Sequence, residues 1–240
     1  MFRNIILFPH RFGQQLLGVD QTPNLIRNLL SFKNNYYPIT CNSSINQNLF
    51  NLYYKMSDIH LKNFNKVNYN KNDSNKILIH NNDFNSENQK IIIGGDHSMS
   101  IATVANTLNL YPDAKVLWID AHADINTPES SRTSNIHGMP LGFLTGLSKE
   151  LLNRSCTFIE NTLPFENLMY VGLRDIDPFE KTLIENNHIQ CVSCSDLEND
   201  REESLNRIKD FIGDSVVHVS FDVDVLEPSV MMCTGTRVEG

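Results

Sequence analysis

Two apolar runs in this chain each stop at a cluster of acids, and that pairing limits both where strands can lie and what their ends can do. Lys115-Val116-Leu117-Trp118-Ile119 runs into Asp120-Ala121-His122-Ala123-Asp124, and residues 216–221 run into Asp222-Val223-Asp224. A short apolar run bounded by polar residues reads as a strand buried on both faces. In an extended segment, side chains at i, i+2 and i+4 point to one side, so each cluster is expected to project its acids together. Carboxylates gathered in one place repel unless a cation neutralises them. Oxygen ligands with some imidazole suit Mn²⁺ or a similar hard divalent ion. A third piece, Gly94-Gly95-Asp96-His97-Ser98, follows Ile91-Ile92-Ile93 and adds a second His. Taken alone, an Asp-x-Asp is usually a solvated turn or a cap, and a lone His is usually structural. Three such pieces at strand ends of one pattern point instead to a site for two metal ions.

The rest of the pattern is an alternation of strand-like and helix-like segments. Strands are expected at 5–8, 90–93, 115–119, 168–172, 189–193 and 215–221, and helices at 23–30, 98–108, 178–187 and 202–212. Such alternation predicts βα units and a mainly parallel central sheet. Thr22-Pro23 suits a helix start, with a capping hydroxyl and proline at the first turn. At 240 residues the chain fits a single domain with a substantial core. Residues 34–88 differ in being crowded with Asn. They read as a variable surface excursion, with room for one helix around 49–64.

The formal charge of -8 gives no reason to expect nucleic acid or an anionic membrane as partner. No long apolar span reads as a transmembrane helix, and the N-terminus reads as a first strand rather than a secretory signal. A cytoplasmic protein is therefore expected. Five scattered cysteines fit free thiols. Cys191-x-x-Cys194 raises a redox or zinc reading, but it lacks a second pair and sits in an expected strand.

Two hard-ligand ions sharing a solvent molecule make hydroxide available near neutral pH, which implies hydrolysis at carbon or phosphorus. Between the first cluster and Gly138 lies a run of small polar residues, with Arg132 among them. It reads either as an exposed turn or as a substrate-recognition loop leaving the metal cluster. His137, at its end, is placed to shuttle a proton.

These motifs resemble those of the arginases in the ureohydrolase superfamily. The similar segments are Gly18-Val19-Asp20 through Arg27, Gly94 to Ser98, and Asp120 through Pro128. Asn135-Ile136-His137-Gly138, Gly172 through Pro178, Ser220 to Asp224, Pro228 and Thr234-Gly235-Thr236 complete the set. The resemblance implies a three-layer αβα fold, with the mainly parallel sheet flanked by helices, and two Mn²⁺ per chain, held by His97, Asp120, His122, Asp124, Asp222 and Asp224. It implies hydrolysis of L-arginine to L-ornithine and urea by a metal-bridging hydroxide. Asp124 would orient that hydroxide and His137 would shuttle the proton. Asn126, Thr133 and Asn135 match positions that meet the α-carboxylate. Asp177 and Glu180 match acids near the α-amino group, and Thr236 a residue near the guanidinium. Asp96 is expected to support a ligand imidazole.

A homotrimer is also implied by the resemblance. Against it, the chain stops at Gly240, just past Thr236, and Arg237 stands where a proline is usual. The chain is therefore expected to lack the family's C-terminal elements, including an acid that contacts the guanidinium. The alternatives are another ureohydrolase, namely an agmatinase, guanidinobutyrase or formimidoylglutamase, or a metal-binding homologue with impaired catalysis. Asp177 and the loop 126–135 favour a substrate carrying both α-carboxylate and α-amino groups.

Overall fold

In the computed structural model, residues 4–12, 14, 19–29, 35–41, 44–65, 90–148, 156–232 and 234–240 are described. The chain opens with β1 (Asn4–Phe8), followed by α1 (Thr22–Leu29), β2 (Asn35–Pro38) and α2 (Ile45–Asn65). Next come β3 (Lys90–Gly94), α3 (Ser100–Leu110), β4 (Lys115–Ile119) and the short α4 (Pro140–Leu144). Then follow β5 (Leu168–Val171), α5 (Pro178–Asn186) and β6 (Gln190–Val192). Finally there are α6 (Cys194–Asn199), α7 (Arg201–Ile212) and β7 (Val217–Phe221).

All pairings are parallel, and the strands form two sheets, ordered β2-β1-β3 and β6-β5-β4-β7. The expected parallel αβα architecture is therefore present. The core holds the apolar runs as predicted. Trp118 and Tyr170 are fully buried on adjacent strands, β4 and β5. The Tyr170 hydroxyl finds a partner by donating to the Ala123 carbonyl at 2.9 Å, so its burial leaves no orphaned group. On the outer edge of β7, Val219 and Phe221 remain more than half exposed. Among the described residues no helix is long and apolar enough to cross a membrane.

One expectation is corrected here. Part of the Asn-rich stretch is core rather than surface excursion. It supplies β2 and a 21-residue helix, α2. Leu49, Leu52, Met56 and Ile59 recur at helical spacing and are all buried. Ser44 starts the helix, its hydroxyl accepting from the Gln47 N–H. Asn46, Gln47, Phe50 and Tyr54 are exposed on the other side, and this mixture masks the stripe in a composition-based reading. The rest of the stretch, 66–88, lies outside the described residues. The short helices α4 and α6 were likewise not expected from the pattern.

Candidate metal centre

The site is assembled where strands from both sheets end. After β3, Gly95 lets the chain turn tightly against β1, since a Cβ there would collide with the His10 carbonyl. The Asp96 N–H donates to that same carbonyl at 2.9 Å. Asp96 then accepts from the Ser98 N–H at 3.0 Å and starts the single turn His97–Met99. That turn aims His97 at the ends of β4 and β7.

His97 Nδ1 lies 2.9 Å from Asp120 Oδ2, 2.9 Å from Asp124 Oδ2 and 3.3 Å from Asp222 Oδ2. His122 Nδ1 lies 3.2 Å from Asp224 Oδ2 and 3.5 Å from Asp120 Oδ1. Two groups result whose ligand atoms lie within 4.8 Å of one another: His97, Asp120 and Asp222, and Asp120, His122 and Asp224. Asp120 belongs to both, with one oxygen toward each imidazole. His97 Nδ1, Asp120 Oδ2 and Asp224 Oδ1 are buried without an aligned hydrogen-bond partner. Buried polar atoms are rarely left so, and a pair of cations between them would satisfy all three. The donor set, carboxylate oxygens with imidazole nitrogens, fits hard or borderline divalent ions.

The convergence is not achieved by extended backbone alone. Asp124 sits at φ 50°, in the left-handed region. Asp222 heads the single turn Val223–Val225 and accepts from the Asp224 N–H at 3.1 Å. The residues singled out by the simple alternation rule do converge, but through turns that the rule does not contain.

Electrostatics follow from this crowding. Burial alone would lower the pKa of His122, but the carboxylates of Asp120 and Asp224 outweigh it and push the value up to about 11. His97 is held well above its usual value in the same way, by Asp120 and Asp124 against the effect of burial. Burial and the neighbouring Asp120 charge raise Asp124 to about 8, and burial raises Asp222 to about 6. A cation bound among these groups would compete with protons for the same atoms.

Several supporting contacts were invisible in the sequence. His97 Nε2 is 2.8 Å from Ser220 Oγ, which also meets Ser100 Oγ at 3.0 Å. The His97 ring stacks on Trp118 with centroids 4.3 Å apart. Asp175 Oδ2 lies 3.7 Å from His122 Nε2. Trp118 and Ser220 did lie within quoted strand runs, but nothing in the spacing marked their roles. Asp96, expected to support a ligand imidazole, lies 3.9 Å from His10 Nε2 and accepts from the Ser98 N–H.

Above the cluster lies a pocket walled by His122, Asp124, Asp222 and Asp224 on its metal side. Asn126, Thr133, His137, Asp177, Glu180 and Thr236 line it as well. Asn126 donates from its amide to Asp177 Oδ2 at 3.0 Å, and its carbonyl accepts from Ser130 Oγ at 2.7 Å. Glu180 is buried, and its two oxygens accept from the Ile125 and Asp177 N–H groups at 3.1 and 3.0 Å. Burial raises Glu180 to about 7. Thr236 donates to Asp224 Oδ2 at 2.7 Å, so it touches a ligand carboxylate. Burial lowers the His137 pKa. Asn135 starts the turn Ile136–Gly138 but is not part of the pocket wall. Cys191 and Cys194 are free thiols and belong to neither ligand group.

Comparison with known proteins agrees with this geometry. The family model described as "Arginase family" matches residues 4–240. An arginase of Glaciozyma antarctica is 39% identical over 62% of this chain and 45% of its own length. One of Neurospora crassa is 41% identical over 62% of this chain and 44% of its own. The chain thus spans less than half the length of these relatives. An arginase of Staphylococcus aureus is 35% identical across 99% of this chain and 80% of its own. Among solved structures, an Entamoeba histolytica arginase in complex with L-ornithine superposes with a TM-score of 0.78. It is 28% identical, with 99% of this chain and 81% of that one covered. A Bacillus subtilis arginase gives 0.79 at 26% identity, covering 100% of this chain and 80% of that one. With the family model spanning residues 4–240, this chain belongs to the arginase family.

Proposed function

We propose that this protein hydrolyses L-arginine to L-ornithine and urea with two Mn²⁺ ions. The observation that carries this reading is the shared Asp120. It joins two ligand groups beneath a pocket whose rim presents Asp177. His97, Asp120 and Asp222 would hold one ion, and Asp120, His122 and Asp224 the other, with Asp124 beside His97. Bound there, the ions supply Lewis acidity and lower the pKa of water toward neutrality.

The chain's own residues do the rest. Asp124, held at its left-handed turn, faces the pocket and orients the attacking water. The water oxygen bonds to the guanidinium carbon, and the bond from that carbon to the side-chain nitrogen breaks. The leaving nitrogen must gain a proton. His137 is neutral at pH 7 because burial lowers its pKa, so it can accept a proton and hand it on. Asp177 Oδ1 would take the α-ammonium, its other oxygen being fixed by Asn126. Thr236 steadies the Asp224 carboxylate through its hydroxyl.

The test is a substrate panel on the Mn²⁺-loaded protein: L-arginine, agmatine, guanidinobutyrate and formimidoylglutamate. L-Arginine should be turned over at least about tenfold more efficiently than the others, a gap of roughly 1.4 kcal/mol in transition-state stabilisation. Preference for agmatine would contradict the reading. Metal binding without turnover of any of the four would do so as well.

A further inference from the structure

Arg174 is where separate pieces of the site are tied together. It stands just past β5, half-buried, and is not part of the pocket wall. Its backbone and its side chain face different parts of the metal centre. The Arg174 N–H donates to the Ala121 carbonyl at 3.0 Å, and the Asp175 N–H donates to the same oxygen at 2.9 Å. Ala121 lies between two candidate ligands, Asp120 and His122. This double anchor holds the first acid cluster to the segment that follows β5.

The guanidinium spans the gap to the second cluster. Nη1 donates to the Gly172 and Val225 carbonyls, each at 3.1 Å. Nη2 donates to the Asp224 carbonyl at 3.2 Å and to the Val238 carbonyl at 2.9 Å. One planar group therefore joins three segments: the end of β5, the turn Val223–Val225 that carries Asp224, and the tail that carries Thr236. A rigid fork of donors with fixed spacing is what such a junction needs. Gly172 makes the approach possible. At φ 87° it passes so close to the ligand turn that a Cβ there would lie 2.4 Å from Val225 Cγ2.

The other ligand group is held differently. The Asp222 N–H donates to the Ile119 carbonyl at 2.9 Å, and His97 rests on Ser220 and Trp118. Among the described residues, the guanidinium makes no hydrogen bond to any of these.

Resting on the two-metal reading above, we propose that Arg174 is the positioning residue for one ion of the pair, the one held by Asp120, His122 and Asp224. Its backbone fixes the first two ligands and its side chain fixes the third, so it sets the spacing between them without touching metal or substrate. Groups that orient ligands from behind typically carry tenfold or more in metal affinity. Here that effect falls on one ion of the two.

The experiment follows Mn²⁺ binding to wild type, Arg174→Gln and Arg174→Lys by competition against a metallochromic chelator, with urea unfolding of the metal-free proteins in parallel. In Arg174→Gln one ion should weaken by about tenfold or more while the other keeps its affinity. Lysine should recover only part of the loss, since it keeps a donor without the planar fork. As the gentler change, it carries the same test if Arg174→Gln does not fold. Adding Arg174→Gln to Asp222→Ala, which keeps only the braced ion, should weaken that ion by the same factor. Two unchanged affinities would overturn the proposal even if stability in urea falls, because a merely structural arginine gives that result. Equal weakening of both ions would overturn it as well. Selective weakening of one ion in a protein whose wild type hydrolyses no L-arginine would instead sink the functional reading and leave the role of Arg174 standing.

Discussion

At the level of single residues, the candidate metal ligands carried their signal in the sequence because acids and imidazoles are conspicuous when they follow apolar runs. His97, Asp120, His122, Asp124, Asp222 and Asp224 could all be named, and the structure brings them into one cluster. What fixes them in place was not legible. Ser220 and Trp118 act through a hydroxyl and a ring face that any strand might carry. With His97 Nδ1 turned to the carboxylates, Nε2 is left to donate to Ser220 Oγ at 2.8 Å. Partners of this kind orient a ligand ring, and their loss typically costs tenfold or more in metal affinity. Ser220→Ala should therefore lower Mn²⁺ affinity by about tenfold with the fold intact, measured by competition against a metallochromic chelator. Unchanged affinity would show that stacking on Trp118 suffices to hold the ring.

At the level of elements, α5 shows how one helix start serves both fold and site. Pro178 occupies the first turn, and the Asp177 N–H donates to Glu180 Oε2. Glu180 Oε1 reaches the Ile125 N–H, tying the helix to the loop that carries Asp124. Sequence resemblance placed Glu180 near a substrate amine, but both oxygens are engaged by the backbone. Glu180→Ala would strand two N–H groups in a buried place, at about 1–3 kcal/mol each. We expect a loss of roughly 2–4 kcal/mol in urea unfolding, together with a weaker grip on L-ornithine as Asp177 loosens. A loss under about 0.5 kcal/mol, the range of ordinary surface substitutions, would contradict this. The converse lesson comes from α2. Its apolar stripe was present in the text as Leu49, Leu52, Met56 and Ile59, yet Asn-rich surroundings drew the reading toward surface. Local composition reports the solvent face of such a helix, and only periodicity reports the buried one.

At the level of the whole molecule, the candidate site residues follow the carboxyl ends of β3, β4, β5 and β7, as open α/β folds place them. The fold also half-buries a histidine outside the candidate ligand groups. His218 on β7 contacts Thr107 Oγ1 at 2.8 Å beneath α3, and burial lowers its pKa from 6.5 to about 4. Between those values the unfolded chain binds a proton that the folded chain does not. Stability should therefore fall as pH drops through the window from 6.5 to 4. With partial exposure discounted, the expected contribution is about 2 kcal/mol. His218→Gln should flatten that acid limb in urea unfolding of the metal-free protein, and an unchanged slope would refute the assignment. The central proposal is that Asp120 would serve two ions and Asp222 one. The most direct measurement is metal stoichiometry by mass spectrometry of the wild type, Asp120→Ala and Asp222→Ala after Mn²⁺ loading, with urea release in parallel. The account predicts two ions per chain in wild type, one in Asp222→Ala and none retained in Asp120→Ala, with urea release lost in both variants. Two ions retained in Asp120→Ala, or undiminished urea release, would contradict it.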